Sequence, residues 1–298
     1  MSKKTVLITG ATQGIGKETA IGLAKQGHNI VLNGRNKTKL EYVCEEIKSI
    51  SGNSDIDTIV ADLSLLVETK RMTDEFISRY DKLDILINNA GVFPNSKRET
   101  TAEGLEKSMA INLFSPFLIM QAMKPVLLKS DSARILNVSS AMHKYGGRPD
   151  FSDMQFERNY SPIRVYGLTK LYLIWISQLL SKMLKQRGVN NVTVNSLHPG
   201  NIDTNFGQDA FRSVLVKQAF KVSKKFMGNP ADAAKTIVYL ATSPDVKNVS
   251  GEYFNKKGKV IKPDGRYWSP DNEKLVMDYC IEHTKQQPPV RPYSVDQK

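Results

Sequence analysis

The chain is poor in the residues that announce several function classes. It has two cysteines and four histidines in 298 residues. Cys44 and Cys280 cannot build a disulfide framework, and their separation matches no metal-ligand spacing. So few cysteines fit a reducing compartment. His143 and His198 each lack a partner at ligand spacing, so packing or loop hydrogen bonding is their expected role and no metal site is expected. Long apolar runs are also missing. The strongest, LYLIWISQLL at 171–180, falls far short of the ~20 residues that cross a bilayer. MSKKTVLITG turns strand-like almost at once, which leaves no room for a signal peptide; a soluble, cytoplasmic protein is expected. Acidic residues are outnumbered by basic ones, 30 to 42, for a net charge of +12. Such a surplus can attract nucleic acid, anionic membrane or an anionic cofactor. The lysines are scattered, with no aromatic-interleaved basic run, so nucleic acid is not an expected partner.

What the chain does have is a regular alternation of strand-like and helix-like segments. TVLITG, NIVLNG, DIDTIVAD, LDILINNAG, ARILNVSS and VTVNSLHPG are mostly continuous Val/Ile/Leu runs that end in Gly, Asn, Ser or Asp. Parallel strands covered by helices on both faces have this character. Amphipathic segments lie between them near 15–26, 36–50, 64–79, 101–129 and 161–187, and a later helix at 230–242 precedes the short strand GEYF. The pattern predicts an α/β fold: a doubly wound, mostly parallel sheet of about seven strands in a single domain over 1–285. Its dinucleotide-binding half would span about 1–140, and the Pro- and Gln-rich residues 286–298 would form a flexible tail. Ligands of such sheets sit beyond the carboxyl ends of the strands. Those ends carry TGATQGIG, NGRN, ADL, NNAG, VSS and HPG, so the polar motifs converge on one edge.

The first of these motifs opens a helix. Gly10, Gly14 and Gly16, with Ile15 between the last two, are spaced G-x-x-x-G-x-G. Residues without Cβ permit a tight turn and close approach of a pyrophosphate to helix N-terminal amides. At the end of the second strand an acid would bind a ribose 2′-hydroxyl, whereas an arginine accommodates a 2′-phosphate. Arg35 stands there, followed by Lys37 and Lys39, with no acid before Glu41; NADP(H) is therefore expected over NAD(H). The rival reading of Arg35 is a solvated helix start. Asp62 and Leu63, ending the third strand, are placed to meet an adenine ring, with helix N-capping as the rival role for Asp62.

The stretch YGLTK places Tyr166 and Lys170 one above the other on a helix, where an ammonium favours phenolate and lowers the tyrosine's pKa. Tyr253 and Lys257 repeat the spacing. That second pair follows a short strand in a lysine-rich turn and is expected to be a coincidence outside the site.

Taken together, TGATQGIG, NNAG at 88–91, Asn112, Ser139–Ser140, YGLTK and HPG at 198–200 resemble the short-chain dehydrogenase/reductase family in kind and order. GIGKETA, RILNVSSAMH and the long interval between Ser140 and Tyr166 are most similar to its retinol dehydrogenase-type members. The resemblance implies hydride transfer between a nicotinamide and a carbonyl or alcohol. Tyr166 would be the general acid or base, and Lys170 would tune it and hold the nicotinamide ribose. Ser140, with Ser139 as competitor, would bind the substrate oxygen, and Asn112 would hold a water linking Lys170 to solvent. Asn89 would touch the adenosine-side ribose, and Ile202 and Thr204 the carboxamide. One departure is Gln13, where some NADP-using relatives carry a basic residue.

The segments expected to face substrate, 92–100, 141–162 and a lid at about 205–227, include Phe93, Met142, Tyr145, Phe151, Phe206 and Phe211. They suit a small lipophilic carbonyl or alcohol. Within the lid, 211–226 is a basic amphipathic stretch, read as a cover for the pocket in preference to a peripheral membrane contact. A homo-oligomer is left open. Two other readings stand beside the carbonyl chemistry: a double-bond reductase of the protochlorophyllide-reductase type, and a non-catalytic NADP(H)-binding protein.

Overall fold

The computed structural model describes residues 3–200 and 228–285. Ile202, Thr204, the lid expected at 205–227 and the tail 286–298 lie outside the described residues.

The apolar runs become buried parallel strands. β1 (Thr5–Ile8), β2 (Asn29–Gly34), β3 (Ile56–Val60), β4 (Ile85–Asn88), β5 (Ala133–Val138) and β6 (Val192–Leu197) all pair parallel. Helices α1 (Gly14–Ala24), α2 (Lys37–Ser51) and α3 (Leu66–Arg79) follow the first three strands. The sheet order is β3-β2-β1-β4-β5-β6-β7-β8. The chain therefore starts in the middle, winds one way to β3, and returns past β1 to continue the other way from β4. The β1/β4 junction is the switch point at which such sheets bind ligands.

Helices cover both faces. On one, Phe76, Phe114, Phe117, Trp175 and Ile176 form a core with the sheet; on the other, Leu23, Leu40, Ile47 and Ile237 do so. α7 (Pro162–Gln186) lies on the first face, and α8 (Pro230–Thr242) packs beside α1 on the second. The last helix, α9 (Pro270–Thr284), packs on α7.

Among the described residues the sheet has eight strands, in keeping with the about seven expected. β7 (Tyr253–Phe254) is the expected GEYF strand, and β8 (Val260–Ile261) folds back on it antiparallel. β8 is two residues long with Val260 exposed, too short to show a period; the tight turn makes it, through Gly258 N–H to the Asn255 carbonyl at 2.9 Å. The amphipathic stretch 101–129 is divided into several short pieces. Residues 101–106 form a turn, and α4 (Lys107–Met109) begins on the Glu106 carboxylate, which accepts the Met109 N–H at 2.7 Å. The chain then widens into a π-turn, Ala110–Phe114, before α5 (Ser115–Ala122) and α6 (Lys124–Leu127). Pro116 explains the widening, because it has no N–H to return to the Asn112 carbonyl four residues back.

Candidate active site

The glycine loop is shaped by contact with the β4 exit. Gly10 has φ +63°, and a Cβ there would sit 2.9 Å from the Ala90 Cα. A Cβ on Gly16 would lie 2.5 Å from both Asn89 Nδ2 and the Gly10 carbonyl. Only glycine lets the first turn of α1 approach NNAG this closely. Asn89 ties the two loops together, its Nδ2 donating to the carbonyls of Thr9 at 2.9 Å and Gly10 at 3.1 Å. Thr9 Oγ1 accepts from the N–H groups of Asn89 and Ala90, each at 3.0 Å. No side chain caps the start of α1, and its first turn, which includes Ile15, carries no acid. Its first amides therefore lack a side-chain acceptor from the N-cap, as the start of an anion-binding helix requires. These residues fit a dinucleotide pyrophosphate.

Arg35 is exposed just past β2. Lys39, in the first turn of α2, reaches back so that its Nζ donates to Gln13 Oε1 at 2.7 Å. A cation from another element thus stands beside position 13, where the chain itself carries Gln. Asp62 closes a turn on Ser64, accepting its N–H at 2.9 Å. It does not cap α3, whose N-cap is Leu65. Leu63 beside it is buried, and its carbonyl accepts the Ser115 hydroxyl at 2.7 Å.

Tyr166 and Lys170 share the face of α7 that meets the end of β5, and both are buried. Lys170 Nζ donates to the Val138 carbonyl at 2.9 Å and lies 5.9 Å from the Tyr166 ring centroid. A Cβ on Gly91 would come 3.1 Å from that ammonium and 3.3 Å from Asn112 Oδ1, so the glycine leaves room for both. The Tyr166 hydroxyl is hydrogen-bonded to the Ser140 side chain. Ser140 Oγ also accepts the Met142 N–H at 3.1 Å, which leaves the serine's own proton for another acceptor. The neighbouring Ser139 is committed elsewhere, its hydroxyl donating to the Lys170 carbonyl at 2.9 Å.

The family model for short chain dehydrogenases matches residues 4–214. This chain belongs to the short-chain dehydrogenase family. It is 34% identical over 270 residues to human retinol dehydrogenase 14, covering 85% of this chain and 78% of that protein. Human polyprenol dehydrogenase is 31% identical over 264 residues, with 85% and 77% covered. In fold it is similar to a short chain dehydrogenase from Shigella flexneri 2a complexed with NADP, at TM-score 0.68 and 24% identity, over 86% of this chain and 98% of that one. The protein is thus an oxidoreductase of a family that uses a nicotinamide cofactor.

In this dehydrogenase the electrostatics of the pair differ from the expectation. Burial pushes the Tyr166 phenol up to about 12, with the Ser140 hydrogen bond pulling the other way, and burial pushes Lys170 down to about 8. Removal from water disfavours both charged forms. The phenol is therefore neutral near pH 7, and the charge next to it is an ammonium.

Asn112 sits in the π-turn with both amide hydrogens and its oxygen engaged. Oδ1 accepts the Val92 N–H at 2.8 Å, and Nδ2 donates to the Val92 carbonyl at 3.0 Å and to Thr169 Oγ1 at 3.2 Å. Its side chain anchors the NNAG exit loop against α7. Phe93, one residue further on, lies 5.0 Å from the Tyr166 ring, centroid to centroid.

Tyr253 was expected to stand outside the site. It is buried in β7, and its hydroxyl donates to the Ser140 carbonyl at 3.2 Å. Its spacing from Lys257 carried no information about this, because the strand ends at Phe254 and Lys257 lies in the turn beyond it, outside any helix. The register could have indicated it, since Tyr253 pairs with Ser196 beside the end of β5.

Proposed function

We propose that this dehydrogenase is NADP(H)-dependent and interconverts the carbonyl and alcohol of a small lipophilic substrate, with Tyr166, Ser140 and Lys170 at the reacting oxygen. The observation that carries this reading is the hydrogen bond between a buried Tyr166 and a half-buried Ser140, beside a buried, cationic Lys170 at the edge that also carries the glycine cradle. A protein that only bound a dinucleotide would have no need of a buried phenol with an adjoining donor.

A nicotinamide, when bound, would supply or take up the hydride. The chain's own residues manage the oxygen. Tyr166, held near 12 by burial, keeps its proton at neutral pH and gives it to the alkoxide that develops during reduction. Ser140 offers a second donor where that negative charge appears, the position at which a fixed hydrogen bond contributes most. Lys170 stays largely protonated at pH 7 and stabilises the phenolate left behind. Beyond its bond to Val138 it has further N–H groups with which to hold the nicotinamide ribose. Arg35, with Lys39 near the loop, favours a 2′-phosphate, and no acid precedes Glu41 to bind the bare ribose instead.

Phe93 against Tyr166, with Met142, Tyr145 and Phe151 on the following loop, suits an apolar substrate. The named substrates of the two human relatives, retinol and polyprenol, are lipophilic alcohols and support the same class. The test is oxidation of NADPH and of NADH by the protein with retinal, aliphatic and aromatic aldehydes, ketosteroids and quinones. Reduction of an aldehyde or ketone to its alcohol, faster with NADPH, is expected. Products reduced only at a carbon–carbon double bond, or no turnover with any carbonyl, would overturn the proposal.

A further inference from the structure

His143 and Tyr253 converge on one atom, the carbonyl oxygen of Ser140. His143 Nδ1 lies 2.8 Å from it, the His143 backbone N–H donates to it at 3.1 Å, and the Tyr253 hydroxyl at 3.2 Å. The ring's other nitrogen is also engaged: Nε2 accepts the Asp264 N–H at 3.0 Å. A backbone N–H can only donate, so Nε2 carries no proton and the neutral ring holds its proton on Nδ1. The imidazole is therefore a fixed donor to Ser140.

The group that sets this tautomer is anchored in its turn. Arg266 is paired with the Asp264 carboxylate at 2.6 Å and also donates to the Lys144 carbonyl. Residues 264–266, between β8 and α9, thus grip the turn of residues 143–144 that Ser140 opens. His143 and Tyr253 also pack edge to face, ring centroids 5.1 Å apart, and the His198 ring lies 5.7 Å from that of Tyr253. Burial, together with the cationic Lys144 and Arg266, holds His143 below its ordinary pKa, outweighing the Ser140 carbonyl and Asp264.

From this geometry we infer that His143 and Tyr253 are positioning residues: they fix the Ser140 peptide, and with it the direction of the Ser140 hydroxyl, while the 264–266 segment fixes the His143 tautomer. The inference rests on the role proposed above for Ser140. It gives the segment after β8 a part in the reaction although none of its side chains need touch substrate.

The test uses the full chain with NADPH and all-trans-retinal, and nitrogen NMR of the imidazoles. His143→Ala should lower kcat about tenfold, the scale of one lost hydrogen bond to a buried group, with KM and NADPH affinity little changed. His143→Asn carries an amide N–H near the Nδ1 position and should restore most of the rate. His143→Gln carries its amide near Nε2 and should not. In a Ser140→Ala background, His143→Ala should cost little more, because both changes act on one hydroxyl. The reverse rescue pattern, or full additivity, would show that the histidine merely holds the 264–266 segment and would overturn the inference. Should His143→Ala not fold, the Asn and Gln variants decide. Should retinal not be reduced, the NMR arm decides without a substrate: a proton on Nδ1 is expected, and one on Nε2 contradicts the geometry. A Ser140→Ala protein with its rate intact would instead sink the role proposed for Ser140.

Discussion

On α7, Tyr166 and Lys170 stand one helical turn apart, both buried and both directed at the end of β5. In β7 and the turn after it, Tyr253 and Lys257 have the same separation in sequence, but Tyr253 points inward from the strand and Lys257 is exposed in the turn. The first pair brings a phenol and an ammonium to one place. The second splits into a tyrosine that reaches Ser140 from behind and a lysine that reaches water. Spacing carries chemistry only through the element that holds it.

The sharpest way to break the comparison is to remove the two lysines separately. Lys170→Ala should lower kcat/KM by about 10²–10⁴-fold and weaken NADPH binding, because the role proposed for it is both to stabilise phenolate and to hold the ribose. Lys257→Ala should leave both unchanged. Steady-state kinetics and cofactor titration on the two variants check this, and equal losses would erase the distinction.

Arg35→Ala comes next. A charge-assisted contact contributes roughly 1.5–3 kcal/mol, so the preference for NADPH over NADH should shrink by that amount, with NADH affinity unmoved. Equal affinities for the two cofactors in the parent protein would remove the basis of the NADP assignment.

A smaller effect concerns stability. Lys170 titrates at about 8 in the fold against an ordinary 10.5. Below about pH 8 the lysine is charged in both folded and unfolded chains, and the full burial penalty applies. Between that pH and about 10.5 the unfolded chain binds more protons, so stability contributed through Lys170 rises with pH. Lys170→Met has no such penalty. Near neutral pH, in the absence of cofactor, it should exceed the parent by up to about 2–3 kcal/mol, less the hydrogen bond lost at Val138. Denaturant melts from pH 7 to about 10 should show that gap closing; a constant gap would contradict the buried, charged lysine.

The residues that could be read from sequence are those whose chemistry is local. The glycine loop is a turn and a helix start within one short segment, and Tyr166 and Lys170 share a helix face. The first six strands were legible because each is built on a run of Val, Ile and Leu, even where Asp57, Arg134 or Asn195 interrupts it. β8 was not, being two residues held by a turn. Lys39 on Gln13 and Asp264 on His143 were also invisible, for they join distant segments, the latter through a backbone N–H that any residue but proline could supply. The direction of the Tyr166 shift depends on burial, which the spacing of two side chains does not reveal.

The central claim is that Tyr166 transfers the proton. Its most direct test is Tyr166→Phe, which keeps the ring and removes only the hydroxyl, with turnover and NADPH affinity measured on the same preparation. The account predicts a loss of about 10²–10⁴-fold in carbonyl reduction with cofactor affinity essentially unchanged. A Tyr166→Phe protein that still reduces its carbonyl substrate at most of the parent rate would contradict it.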